Sequence, residues 1–180
     1  MTIPNLITTL RIILVPIFVI YLMNDEFLSA LTVFILAGLS DGLDGLVARM
    51  FNQKSRLGAF LDPMADKILL VAAFIILAVR EFIPAWLTVI VITRDVLILL
   101  GVLFLFLQNN EFHIRPSILS KINTCFQLGT VFLVLAQETL DFLTHLTPWV
   151  FWVTALLTIA SGLGYIRAWF LMMPERSDGG

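Results

Sequence analysis

An all-α, polytopic membrane fold of six transmembrane helices is predicted, and three observations predict it. Hydrophobic residues make up 59% of the chain and charged residues 13%, giving a mean hydropathy of +0.99, outside the balance of a soluble domain. Apolar stretches follow one another, each near the roughly 20 residues needed to cross about 30 Å of hydrocarbon. Short polar or charged breaks separate them, and no break is long enough to hold a soluble domain of its own.

The first apolar stretch, 6–23, ends at Asn24-Asp25-Glu26. It has no charged leader, carries Arg11 within it and runs into a second stretch without a clear small-residue cleavage site, so it reads as a permanent helix and not an export signal. The second, 27–48, closes on the charged segment 52–56, and the third, 59–78, ends before Arg80 and Pro84. The fourth, 84–107, contains Arg94; the fifth, 117–135, follows the polar stretch 109–116; the sixth, 146–171, follows a break over 137–147. Residues 173–180 read as a flexible tail. With no composition shift, linker or internal repeat, residues 1–180 are expected to form a single membrane domain.

Orientation follows from the basic residues. An N-terminus on the cytoplasmic side puts Arg11, Arg49, Lys54, Arg56, Lys67, Arg115, Lys121, Arg167 and Arg176 at the inner face and only Arg80 at the outer one. A multi-pass protein of the cell membrane is therefore expected, with Arg94 alone in mid-span. Cys125 is the single cysteine, which excludes an intramolecular disulfide and a cysteine-based zinc site. His113 and His145 read as loop residues, and Trp86, Trp149 and Trp152 as interfacial belt residues. No nucleic-acid partner is expected.

Four aspartates interrupt this apolar sequence: Asp41 and Asp44 near the end of the second stretch, Asp62 and Asp66 near the start of the third. An acid at the centre of a spanning helix costs about 2.5–3.5 kcal/mol on the mildest scale, so four of them require a compensating partner. Spacings of three and four place each pair on one helix face, and the short connection should bring the two pairs together as a cup open to the cell interior. Oxygen-only ligands suit hard cations, Mg²⁺ or Mn²⁺, and two ions fit the two pairs. Gly42, Gly45, Ala48 and Gly58 leave room for a nucleotide or pyrophosphate, and Arg49 offers a planar fork suited to phosphate. Alternatives from the residues alone are ion pairing of the acids with Arg49, Arg56 and Lys67, an intramembrane prenyltransferase with paired aspartates, and a divalent-cation carrier. A carrier would line a path across the bilayer, whereas these acids gather near one face.

Read as D-x-x-D-G-x-x-A-R, eight residues, G-x-x-x-D-x-x-x-D, the positions Asp41, Asp44, Gly45, Ala48, Arg49, Gly58, Asp62 and Asp66 resemble the signature of the CDP-alcohol phosphatidyltransferases without a gap. The opening Ile3-Pro4-Asn5-Leu6-Ile7-Thr8 with Arg11, and the run from Gly58 to Lys67, look like the phosphatidylglycerophosphate and cardiolipin synthases of that family. The resemblance implies a six-helix bundle and commonly a homodimer. It also implies transfer of a phosphatidyl group from CDP-diacylglycerol to an alcohol with release of CMP. By that likeness Asp41, Asp44 and Asp62 are metal ligands, and Asp66 is the catalytic base within reach of a metal. Gly45, Ala48, Arg49 and Gly58 cradle the cytidine diphosphate, with Asn5 and Thr8 at its rim.

Arg94 and Lys121 are the expected clamp for an anionic acceptor's phosphate. The implied acceptor is sn-glycerol 3-phosphate. The alternative is phosphatidylglycerol, because Arg94-Asp95 and Ser120-Lys121-Ile122-Asn123-Thr124 look more like the cardiolipin synthases.

Overall fold

Six long helices form in the expected order. The computed structural model describes the backbone of residues 3–51, 58–107 and 118–172, and side chains within 13–40, 67–101, 118–140 and 142–167. The helices are α1 (Ile3–Met23), α2 (Phe27–Phe51), α3 (Gly58–Val79), α4 (Ala85–Leu107), α5 (Ile118–Gln137) and α6 (Thr147–Met172). Their boundaries lie within about three residues of the apolar stretches. One element departs from expectation: a short 3-10 helix, Asp141–His145, occupies the break read as loop and holds His145. The expected tail 173–180 and His113 lie outside the described residues.

The helices are 20 to 26 residues long, or about 30–39 Å at 1.5 Å per residue. Among the described residues, two segments, Ile118–Gln137 and Thr147–Arg167, are long and apolar enough to cross a membrane; the apolar segments Ile13–Met23, Phe27–Ser40 and Lys67–Val79 are shorter. The outer surface is strongly apolar, with Ile20, Leu39, Val79, Leu156 and Leu163 all more than half exposed. A soluble domain would leave no such surface.

α1 lies against both α2 and α3, α5 packs on α6 and α2, and α6 packs on α4. The shared core is built from Phe18, Leu22, Phe74, Leu77, Leu87, Val131 and Leu135, all buried. Ala30 and Ala37 of α2 and Ala73 of α3 are fully buried small residues that let neighbouring backbones approach, the usual way helices associate where lipid removes the hydrophobic drive.

Three connections share one end of the bundle. Arg80, just past α3, donates to the Met23 carbonyl at 3.1 Å and pairs with Asp25, tying the α1–α2 turn to the α3–α4 turn. Trp86 at the start of α4 stacks obliquely on Trp152 near the start of α6, ring centroids 5.1 Å apart. Both are exposed, as belt residues should be.

The α1–α2 and α3–α4 turns are built alike. α1 ends with Glu26 N–H on the Tyr21 carbonyl (3.0 Å) and Asp25 N–H on Leu22; α3 ends with Phe82 N–H on Leu77 (2.9 Å) and Glu81 N–H on Ala78. These are Schellman caps, and their left-handed residues are Asp25 (φ 62°) and Glu81 (φ 63°), where glycine is usual. Asp25 gains the Arg80 pair in return. Glu81 has no ion-pair partner among the described residues, so Glu81→Gly is expected to stabilise the fold by up to about 1 kcal/mol, read as a raised Tm. A lowered Tm would mean that the glutamate side chain matters more than the strain at its backbone.

Candidate functional site

The eight signature positions fall where α2 ends and α3 begins. Asp41 and Asp44 lie in the last three turns of α2, Asp62 and Asp66 in the first three of α3, and the backbone is helical at all four. Helical geometry puts each pair on a common face. Seven residue steps from Phe51 to Gly58 can span at most about 25 Å, which bounds the separation of the two helix ends. The side chains of Asn5, Thr8, Asp41, Asp44, Gly45, Ala48, Arg49, Gly58, Asp62 and Asp66, and the connection 52–57, lie outside the described ones. Among residues whose side chains are described, no group of three or more His, Cys, Asp or Glu could hold a metal ion. The four signature aspartates, the metal set expected from the sequence, lie outside that group of side chains. Four carboxylates without nitrogen or sulfur donors fit a hard divalent cation in their chemistry.

One packing detail refines the expected helix hairpin. Among the described residues α1 packs extensively on both α2 and α3, while α2 and α3 show no comparable contact with each other. α1, which packs on both of these helices, carries Asn5 and Thr8 in its first two turns.

Arg94 is where the structure adds most. It is 5% exposed, and its guanidinium is already engaged: Nη1 donates to Asp95 Oδ1 at 2.7 Å, and Nη2 donates to Ser120 Oγ at 2.6 Å and Ser161 Oγ at 2.8 Å. The Tyr165 ring centroid lies 5.8 Å from its central carbon. One side chain thereby joins α4, α5 and α6. Its Nε, buried, has no hydrogen-bond partner among the described residues. The same Asp95 oxygen receives Lys67 of α3 at 3.0 Å, as an ion pair rather than an aligned hydrogen bond. Lys67, Arg94 and Asp95 together carry one net positive charge. Lys121, one residue beyond Ser120, is exposed and makes no hydrogen bond or ion pair among the described residues.

From this knot a polar seam runs between α5 and α6. Thr158 donates to Asn123 Oδ1 at 2.8 Å, Thr130 and Thr154 share a 2.8 Å hydrogen bond, and Gln127 is buried between those levels. Sequence reading singled out Arg94 and Lys121 but missed Lys67–Asp95, Ser161 and this seam. A signal existed: Ser120, Asn123, Gln127 and Thr130 recur every three or four residues, as do Thr154, Thr158 and Ser161, in otherwise apolar helices.

An open cavity of about 370 Å³ at the opposite end is lined by Asp25, Glu26, Phe27, Leu28, Ser29, Glu138 and Thr139. Its three acids and absence of lining cations give it the wrong charge for a phosphate ligand.

Comparison with known proteins bears on the signature directly. The family model for CDP-alcohol phosphatidyltransferase matches residues 1–160. A rat protein named cardiolipin synthase (CMP-forming) is 36% identical over 91% of this chain and 60% of its own length. Proteins named CDP-diacylglycerol–glycerol-3-phosphate 3-phosphatidyltransferase are 33% identical in Bacillus subtilis, over 90% of this chain and 92% of that one, and 40% identical in Wigglesworthia glossinidia, over 77% and 79%. This chain spans about 60% of the length of the rat and human cardiolipin synthases it matches. The matched region takes in α1 to α5, including the two helix ends that bear the aspartates, and on that ground the chain belongs to the CDP-alcohol phosphatidyltransferases, a membrane-integral family.

Proposed function

We propose that this protein transfers the phosphatidyl group of CDP-diacylglycerol to a glycerol hydroxyl and releases CMP, in the synthesis of anionic phospholipids. The observation that carries the reading is the gap-free aspartate signature, spread over the end of one helix and the start of the next in the chain. The acceptor is sn-glycerol 3-phosphate, the substrate in the names of the Bacillus and Wigglesworthia relatives. Phosphatidylglycerol is the second reading, favoured by the likeness to the rat cardiolipin synthase and by the sequences around Arg94 and Lys121.

Members of the family generally work with divalent metal. Here Asp41, Asp44, Asp62 and Asp66 would hold Mg²⁺ or Mn²⁺, in two sites. Bound metal would neutralise the pyrophosphate and favour departure of CMP. Gly45, Ala48 and Gly58 leave space for the cytidine diphosphate against helix backbone, Arg49 adds a cationic fork, and Asn5 and Thr8 border the site from α1. Asp66 takes the proton of the acceptor hydroxyl. The hydroxyl oxygen bonds to the phosphorus bearing diacylglycerol as the bond from that phosphorus to the CMP oxygen breaks. Such transfers ask a protein mainly for in-line positioning and charge neutralisation.

Lys121, exposed and unengaged among the described residues, supplies charge for the acceptor's phosphate. Arg94 adds its positive charge beside it while Nη1 and Nη2 hold the helices together. The chain is one membrane domain of six spans, working as a homodimer in the cell membrane with its site on the cytoplasmic side. Helix lengths and the distribution of basic residues support that placement.

The decisive experiment incubates purified protein with CDP-diacylglycerol, Mg²⁺ or Mn²⁺, and either acceptor, and measures CMP and lipid products. Metal-dependent CMP release with phosphatidylglycerophosphate is expected; cardiolipin as sole product selects the second reading, and no CMP release defeats both. Lys121→Ala is expected to raise the acceptor KM about tenfold, equivalent to about 1.4 kcal/mol, with donor KM unchanged. An equal rise for both substrates would remove Lys121 from the acceptor pocket.

A further inference from the structure

We propose that Asp95 is a positioning residue: by gripping Lys67 it fixes the rotation of α3 and so the direction in which Asp62 and Asp66 point. The inference rests on the functional reading above, which places those two aspartates at the reacting phosphates.

Among the described residues, the C-terminal half of α3 is held by apolar contacts of Phe74 and Leu77 and by a hydrogen bond from Thr88 Oγ1 to the Phe74 carbonyl at 3.2 Å. Apolar packing spreads its hold on the helix over many side chains, whereas a paired charge fixes one azimuth directly. Towards the other end, the polar tie between α3 and α4 among the described side chains is Lys67 Nζ to Asp95 Oδ1, 3.0 Å. Lys67 follows Asp66 directly in the chain. A helix turns 100° per residue, so fixing the azimuth of Lys67 fixes those of Asp62 and Asp66.

Asp95 is itself immobilised. Its side chain is 7% exposed, and the oxygen that receives Lys67 also receives Arg94 at 2.7 Å. Arg94 in turn is held by Ser120 of α5 and Ser161 of α6. A continuous set of polar contacts therefore runs from α6 and α5 through α4 to the segment of α3 beside Asp66. A buried carboxylate in mid-helix is costly unless it is paired, and Asp95 is paired by two cations.

The test uses the full chain in proteoliposomes, with CDP-diacylglycerol and the acceptor that supports wild-type turnover. Asp95→Asn keeps the shape and removes the charge. It is expected to lower kcat about 10²-fold, the scale of a 1 Å misplacement, with both KM values within about threefold. Lys67→Met should give the same loss, the double variant no more than either single one, and Asp95→Glu a partial recovery. Mn²⁺ affinity measured by EPR should fall in Asp95→Asn and Lys67→Met alike, each preparation being normalised to its folded fraction. An unchanged kcat, additive losses in the double variant, or a rise in acceptor KM alone would overturn the proposal. If the wild type is inactive with both acceptors, the functional reading fails, and the Mn²⁺ comparison still decides: unchanged or absent Mn²⁺ binding overturns the role of Asp95, and a parallel fall in both variants supports it.

Discussion

Asp66→Asn is expected to lower kcat by about 10²–10⁴-fold, the range lost when a positioned general base is removed, while binding of CDP-diacylglycerol in the presence of metal persists. Asparagine keeps the size of the side chain and removes the carboxylate proposed to take the proton of the attacking hydroxyl. Asp41→Asn should behave differently, losing donor affinity together with turnover, because a ligand that holds metal against pyrophosphate acts before the chemical step. Single-turnover CMP release and donor binding measured on the same preparations separate the two outcomes. Near-normal turnover in Asp66→Asn would remove it as the base, and unchanged donor affinity in Asp41→Asn would remove it as a ligand.

The helices were legible because their signal is local. Six apolar stretches bounded by charge or proline gave six helices with ends displaced by about three residues or fewer. The signature was legible for a similar reason, since i, i+3 and i, i+4 spacing fixes a common face without knowledge of the rest of the fold. The short helix Asp141–His145 was missed because it lacks the periodicity and length that distinguish a helix from a loop. The ion pair between Lys67 and Asp95 was missed for a deeper reason. Its members are 28 positions apart on different helices, and Lys67 already had a sufficient explanation among the basic residues expected at the inner face. Arg94 stood out as the one cation in mid-span, with Asp95 next to it in the sequence. That Ser120 and Ser161 would close around the same guanidinium depends on how α4, α5 and α6 pack, which no short window of sequence contains.

Arg94→Met is expected to destabilise the fold by about 3 kcal/mol, read as a fall in Tm of roughly 10 °C. Methionine fills much of the volume, so the loss isolates charge and hydrogen bonding from cavity formation. Removing the guanidinium deprives Asp95 of its 2.7 Å partner and takes from Ser120 and Ser161 the donor they share. Lys67 remains on Asp95, which keeps the expected cost at the lower end of the about 3–5 kcal/mol seen when one partner of a buried pair is deleted. Arg94→Lys should fall between the two, because an ammonium can meet Asp95 or the serines but cannot span them as a planar fork does. Lys121→Ala, one position from Ser120 but exposed, should leave stability unchanged within about 0.5 kcal/mol and so serves as the control. Equal Tm values for Arg94→Met and wild type would show that the three helices hold together without this side chain. Arg94 would then be free to serve a bound acceptor with its whole guanidinium.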